Sequence, residues 1–350
     1  MMESKSKISL RQLQALSIVD IFGISAISLP LGVCLKSAQM GWVWVIFGAI
    51  GVIAFACIAL SIKDTRKLMF STPIGIIVSI LICGKILLTT GIWLRIFSET
   101  INVLLLQKTP SLLVSTLLAL LCLYVAIKGV EARARMAEII FVGTVIILVT
   151  IFALTSTNID FYKLLPISSN GAMKATAYVF SSAFGIEFLL YIKAFLNTDK
   201  KSVKSMATAG IFIALTLSLI TALTLGVFGA DGVIKRRWAV LQIMDTIDFP
   251  LMLLERQDLL MTGFWISSAF AFINAGIFYS GLILSETALK KSCDKLLYFI
   301  VAVIIVIVSA LPGDVTAATA LMEKSKILNI GIYIVIFVMF LADRVVKKVE

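Results

Sequence analysis

Apolar residues in this chain come in long runs separated by short polar segments. A run of about 20 predominantly apolar residues has the length a helix needs to cross a bilayer. Ten runs can be read, at about 13–33, 42–62, 74–97, 111–127, 137–154, 173–196, 206–228, 259–285, 296–311 and 327–343. The predicted fold class is therefore all-α and integral to the membrane, with ten transmembrane helices in a single domain over 1–350. No linker or shift of composition marks a soluble domain. In the long segment 229–258, the stretch Val240 to Met252 carries Ile243, Met244, Ile247 and Leu251 at helical spacing. That spacing predicts a short amphipathic helix capping one face of the bundle.

Composition narrows the function. Hydrophobic residues make up 60% of the chain and charged ones 15%, with a mean hydropathy of +1.06. That is too little polar surface to face water all round, which excludes a soluble enzyme, a disordered chain and a basic nucleic-acid module. The net charge of +11 then needs a membrane explanation. Nineteen of the 31 basic residues fall in the segments that share a side with the N-terminus, at least three in each. Examples are Lys7 and Arg11, then Lys128, Arg133 and Arg135, then Lys193, Lys201 and Lys204. The positive-inside rule places both termini in the cytoplasm. Lys235-Arg236-Arg237 is the exception on the outer side, read as a solvated loop or as a docking point for an extracytoplasmic partner. The polar, basic segment from Met1 to Arg11 lacks the apolar core of a signal peptide, so the first helix is expected to be retained.

Histidine is absent, which removes His-based catalytic triads and the usual zinc and haem sites. Cys34, Cys57, Cys83, Cys122 and Cys293 are scattered and read as small residues in apolar surroundings rather than a disulfide framework. No phosphate-binding Gly-rich loop, metal-ligand cluster or carboxylate dyad occurs. No catalytic residue, cofactor or metal is expected.

The candidate chemistry lies inside the runs. A membrane helix may break only where protein or a water-filled cavity replaces its backbone hydrogen bonds, and secondary transporters bind substrate at two such breaks in equivalent helices of inverted halves. The first run reads Asp20-Ile21-Phe22-Gly23-Ile24-Ser25 and reaches Leu29-Pro30; the sixth reads Ser181-Ser182-Ala183-Phe184-Gly185-Ile186-Glu187. Phe-Gly-Ile recurs five runs apart, which makes the two halves (about 13–154 and 173–343) inverted repeats. Helices one and six are therefore expected to be interrupted at Gly23 and Gly185; the competing role for both glycines is close helix packing.

Charges within spans are costly and face a cavity or a partner. Asp20, Lys85, Arg95 and Glu187 are such charges, and Glu99 lies one turn beyond Arg95. Arg95 and Glu99 suit an ion pair near the outer interface. Lys85 could neutralise Asp20 or Glu187, or line a polar pathway. Glu187 could bind an amino group or be hydrogen-bonded within the bundle. The predicted ligand site comprises Gly23, Ile24, Ser25, Ser181, Phe184, Gly185 and Glu187, completed by Thr89 and Asn274, with Thr90, Ser267 and Ser268 as further polar candidates. Asp20, Lys85, Arg95 and Glu99 are assigned to a polar pathway or gate.

Several short pieces, in order, carry a resemblance. They are Lys7-Ile8-Ser9 with Gln12, then Leu29-Pro30 and Trp42; Lys128-Gly129-Val130-Glu131 with Arg135 and Glu138; Leu165-Pro166 with Gly171; and Glu255-Arg256 with Asp258 and Trp265. Over essentially its whole length the chain resembles the B-subunit family of bacterial spore germinant receptors, the transporter-like subunit. Gln257 departs from the aromatic or apolar residue more frequent there. The resemblance implies a fold like that of the amino acid–polyamine–organocation transporters, with five-plus-five inverted repeats. It implies residence in the spore inner membrane with a receptor A subunit and a C lipoprotein subunit. It also implies sensing of a small germinant, commonly an amino acid. Two other functions use the same residues: a secondary amino-acid transporter, and a scaffold or ion-conduit subunit. Membrane lipid is the remaining expected partner; nucleic acid is not.

Overall fold

The computed structural model describes residues 7–63, 65–106, 108–165, 169–196, 201–246, 258–289 and 294–349. Over these residues the chain is helical, and the one strand-like pairing is an isolated parallel bridge between Ile8 and Leu196. The helices are α1 (Leu10–Ser37), α2 (Gly41–Ser61), α3 (Thr65–Phe70), α4 (Pro73–Leu104), α5 (Ser111–Ile127) and α6 (Val130–Thr155). They continue with α7 (Ala172–Ser181), α8 (Phe188–Ile192), α9 (Ser202–Ile234), α10 (Asp258–Leu289), α11 (Lys295–Ala310) and α12 (Val315–Val349). Every predicted run falls on a helix, the sixth being divided between α7 and α8.

Six described helices are long and apolar enough to cross a membrane: Gly23–Ser61 (the second half of α1 together with α2), Pro73–Val103, Val130–Thr155, Ser202–Ile234, Thr262–Ala288 and Val315–Val345. Ser111–Ile127 and Lys295–Ala310 are shorter apolar helices. Large apolar side chains such as Ile77, Leu121, Ile146 and Ile334 stand exposed on the outside of the bundle. In water such a surface would aggregate; in lipid it is the favourable one. The chain is an integral membrane protein.

Helix starts follow local chemistry. Ser9 and Gln12 form a reciprocal capping box at α1, the Gln12 amide donating to Ser9 Oγ at 3.2 Å and the Ser9 amide to Gln12 Oε1 at 3.0 Å. Both residues thereby satisfy amides that a helix start leaves unpaired. Thr72 caps α4 through the Gly75 amide at 3.0 Å, and Pro73 takes the first helical position, where its missing N–H costs nothing.

Packing between helices depends on small residues that let backbones approach. Gly48 of α2 faces Val179 of α7, Gly210 of α9 faces Ile53 of α2, and Gly276 of α10 faces Thr90 of α4. α1 lies at the centre, against α6, α7, α9 and α10, while α4 packs on α10, α11 and α12. Past Gly229, where α9 kinks, the chain continues to Trp238 and a 3-10 turn at Leu241–Thr246. Val240, Leu241 and Ile243 are buried there, so an apolar face does pack inward; the rest of the amphipathic helix expected to Met252 lies outside the described residues. So do Pro166, Glu255, Arg256, Gln257 and Cys293. Among described residues Cys34, Cys57, Cys83 and Cys122 are free, and all but Cys57 are buried.

Candidate ligand site at a broken helix

The sixth apolar run breaks between Ser181 and Phe188. Several side chains unmake the helix there. The hydroxyls of Ser181 and Ser182 both donate to the Tyr178 carbonyl, at 3.0 and 2.6 Å, competing with the helical ladder. Gly185 adopts φ +92°, a left-handed conformation that costs a residue with a side chain about 1–2 kcal/mol. The carbonyls released at the end of α7 find partners on α12. Tyr333 Oη donates to Phe180 O at 2.8 Å and Asn329 Nδ2 to Ser181 O at 2.6 Å. Backbone groups in a bilayer need such replacements. Past the break, tight turns carry the chain into α8, with Phe188 N donating to Gly185 O at 3.0 Å and Leu190 N to Glu187 O at 3.2 Å. Among the described residues, the hydrogen bonds of the break include none donated by the amides of Gly185, Ile186 or Glu187.

The expected break in the first run does not occur. α1 is continuous from Leu10 to Ser37, through Gly23 and with Pro30 inside it. The same tripeptide therefore meets two fates. Gly23 lies directly against Ser268 of α10, where a Cβ would overlap the serine side chain. Its small size serves close packing, and unwinding would forfeit that contact. Ser25 and Ser28 donate to the Ile21 and Ile24 carbonyls at 3.0 and 3.3 Å, so their hydroxyls are spent within α1. Ile24 is buried in the core.

Two charge clusters flank the break. Lys85 of α4 forms a buried ion pair with Glu187, and its ammonium lies 5.6 Å from the centre of the Phe184 ring. Glu187 Oε2 is buried, with no hydrogen-bond partner among the described residues. Asp20 pairs instead with Arg133 of α6, whose Nη2 donates to both carboxylate oxygens at 2.9 and 2.8 Å. Arg133 Nε donates to Asn274 Oδ1 at 2.7 Å, and Asn274 Nδ2 donates to the Cys122 carbonyl at 2.7 Å. The guanidinium also lies 5.2 and 5.1 Å from the ring centres of Phe278 and Tyr279. Arg133 thus joins α1, α6 and α10 in the interior, although its place in the chain suits a loop cation on the cytoplasmic side. Lys193, placed likewise, is buried and donates to the Ile62 carbonyl. Arg95 and Glu99 do pair, at 2.8 Å, and Arg95 also donates to Ser111 Oγ and Gly313 O.

Of the polar residues expected at the ligand site, Asn274 is held in the Arg133 cluster, and Thr89 donates to the Lys85 and Ile86 carbonyls of its own helix. Ser267 does the same to Gly263 O at 2.9 Å. Phe184, Gly185 and Glu187 stay together at the break. Phe184 is also where the break meets a cavity of about 640 Å³ at the end of α1 remote from the N-terminus. The walls come from α1, α4, α7, the end of α9 and α12, with Trp93, Tyr178, Glu323 and Lys326 among the lining residues. Tyr178 Oη donates to Glu323 Oε1 at 3.1 Å and Lys326 Nζ donates to the same oxygen at 2.6 Å. Lys326, on α12 with Glu323, is buried on this wall. A carboxylate one turn away on the same helix was the available sequence signal for it.

The sequence itself matches a known family. A protein-family model described as spore germination protein aligns with residues 7–314. The chain belongs to the spore germination protein family. It is 26% identical over 331 residues to spore germination protein YndE of Bacillus subtilis (strain 168), an alignment covering 90% of each chain. With spore germination protein KB of the same organism it shares 28% over 269 residues, 69% of each. With spore germination protein A2 it shares 21% over 371 aligned positions, spanning 100% of this chain and 99% of that one. The capping box of α1 and the break at Gly185 both lie inside the family-matched region.

Proposed function

We propose that this spore germination protein is the membrane subunit of a germinant receptor, sensing a small nutrient, an amino acid, and triggering germination. The observation that carries the reading is the broken helix at Gly185, whose Phe184 faces a cavity large enough for a small molecule. Pockets of a few hundred Å³ with an apolar lining and a few placed polar groups are the usual form of a small-molecule site. Here Phe184 lines the cavity from the break, and behind its ring lies the buried Lys85–Glu187 pair.

In this reading ten helices cross the spore inner membrane with both termini cytoplasmic, and the cavity opens outward. A five-plus-five inverted repeat is supported by the way helices pair: α1 on α9 matches α2 on α7, and α4 on α11 matches α5 on α10. An A subunit and a C lipoprotein subunit complete the receptor. Ligand must bind one arrangement of the bundle more tightly than another, since only differential affinity shifts an equilibrium.

The test is made in spores. Deleting this chain from its own spore-former should abolish germination by one or a few amino acids out of a full panel, and restoring the chain should recover it. A deletion that leaves every nutrient response intact overturns the reading. Saturable uptake of a labelled amino acid by proteoliposomes holding this chain alone would make it a transporter instead.

A further inference from the structure

The cavity has an unbalanced charge. Four of its lining residues, Lys36, Lys235, Arg237 and Lys326, are cationic, and one, Glu323, is a carboxylate. Glu323 is already engaged by Tyr178 and by Lys326. Arg237 is fastened across the mouth to Thr316 Oγ1 at 2.9 Å. Lys36 and Lys235 stand exposed at the rim, where they raise the potential of the opening toward anions.

Lys326 differs from these three. Its side chain is 7% exposed, and its ammonium sits 3.6 Å from the centre of the Tyr178 ring. An ammonium has three donors. One goes to Glu323 and one side faces the ring, which leaves donor capacity on a cavity wall. A charge interacts more strongly from such a partly dehydrated position than from the rim. The peptide amides of α1 around Gly23 are meanwhile committed to a continuous helix, so they offer an anionic group nothing.

We infer that the cavity takes its ligand by a carboxylate group and that Lys326 receives it. This rests on the cavity being the germinant site. Trp93, Tyr178 and Phe184 supply the apolar walls for the rest of the molecule. An analogue in which the carboxylate is replaced by a neutral amide fits the same space but leaves Lys326 and the rim uncompensated.

The experiment uses the full chain in lipid nanodiscs and a panel of amino acids, each paired with its own amide. The expected result is that an amino acid binds and its amide binds at least tenfold more weakly. Lys326→Gln then weakens the acid about tenfold and leaves the amide unchanged, while Lys326→Arg keeps most of the preference. Equal affinity for acid and amide, or an equal loss of both in Lys326→Gln, overturns the inference and leaves the cavity as the site. If no amino acid binds the unaltered chain, the site reading falls and the inference falls with it. Should Lys326→Gln not fold, the exposed pair Lys36→Gln and Lys235→Gln is the second test. It should weaken acid binding at low salt, much less at high salt, and leave the amide alone; an equal effect on both ligands again overturns the inference.

Discussion

Lys85 and Glu187 lie 102 residues apart in sequence and form an ion pair whose side chains are 5% and 0% exposed. The pair joins α4 to the last residue of the helix break. Removing either partner strands a charge in the interior at a cost of about 3–5 kcal/mol, whereas removing both can be close to neutral. Lys85→Met and Glu187→Gln are each expected to lower the unfolding temperature in detergent sharply, and the double variant to recover most of the loss. Additive losses would show that the two groups do not depend on each other.

Gly185 and Gly23 should respond differently to the same change. Gly185→Leu introduces a side chain at φ +92° without meeting a nearby backbone closer than the Asp20 carbonyl at 3.4 Å. It should abolish the amino-acid response while the receptor still assembles; an unchanged dose–response curve would count heavily against the pocket. Gly23→Leu drives into Ser268 and should reduce the amount of folded protein. Gly23→Ala combined with Ser268→Gly should recover part of what Gly23→Ala loses, measured as monodisperse yield.

Arg133 cannot be replaced by the other long cation. Its fork grips Asp20 through two hydrogen bonds and Asn274 through a third, a planar pattern that an ammonium does not reproduce. Arg133→Lys should therefore destabilise by about 2–3 kcal/mol, given the worth of hydrogen bonds to charged groups, and Arg133→Leu by more. Thermal unfolding of the purified variants checks the order; Arg133→Lys behaving like the unaltered chain would contradict it.

Sidedness is testable by thiol labelling in a cysteine-free background. Thr319→Cys lines the cavity and should react with a membrane-impermeant maleimide added from outside. Lys63→Cys, exposed between α2 and α3, should react only after the membrane is opened. The reverse pattern would invert the proposed orientation.

Much of this was legible in the chain. Each apolar run became a helix because hydropathy averaged over 20 residues is a local property that lipid reads directly. The break at Gly185 was legible because two serines, a glycine and a glutamate interrupt one run within seven positions. The same tripeptide at Gly23 misled, since its outcome depends on Ser268, which arrives from α10. The in-span charges Asp20, Lys85 and Glu187 were legible too, but nothing local marked Arg133 as the partner of Asp20. Its neighbours along the chain look like those of Arg135, which stays at the surface.

Sequence alone thus determined the apolar helices, one of the two expected breaks and the family. Tertiary structure alone decided that Lys85 neutralises Glu187 rather than Asp20, that α1 stays whole, and that Lys326 turns onto a cavity wall. The physical reason is range. Helix formation in lipid is settled by hydrogen bonds four residues apart and by the apolar side chains around them. The partner of Lys85, Asp20 or Gly23 is whatever another part of the chain, a hundred residues or more away, brings against it.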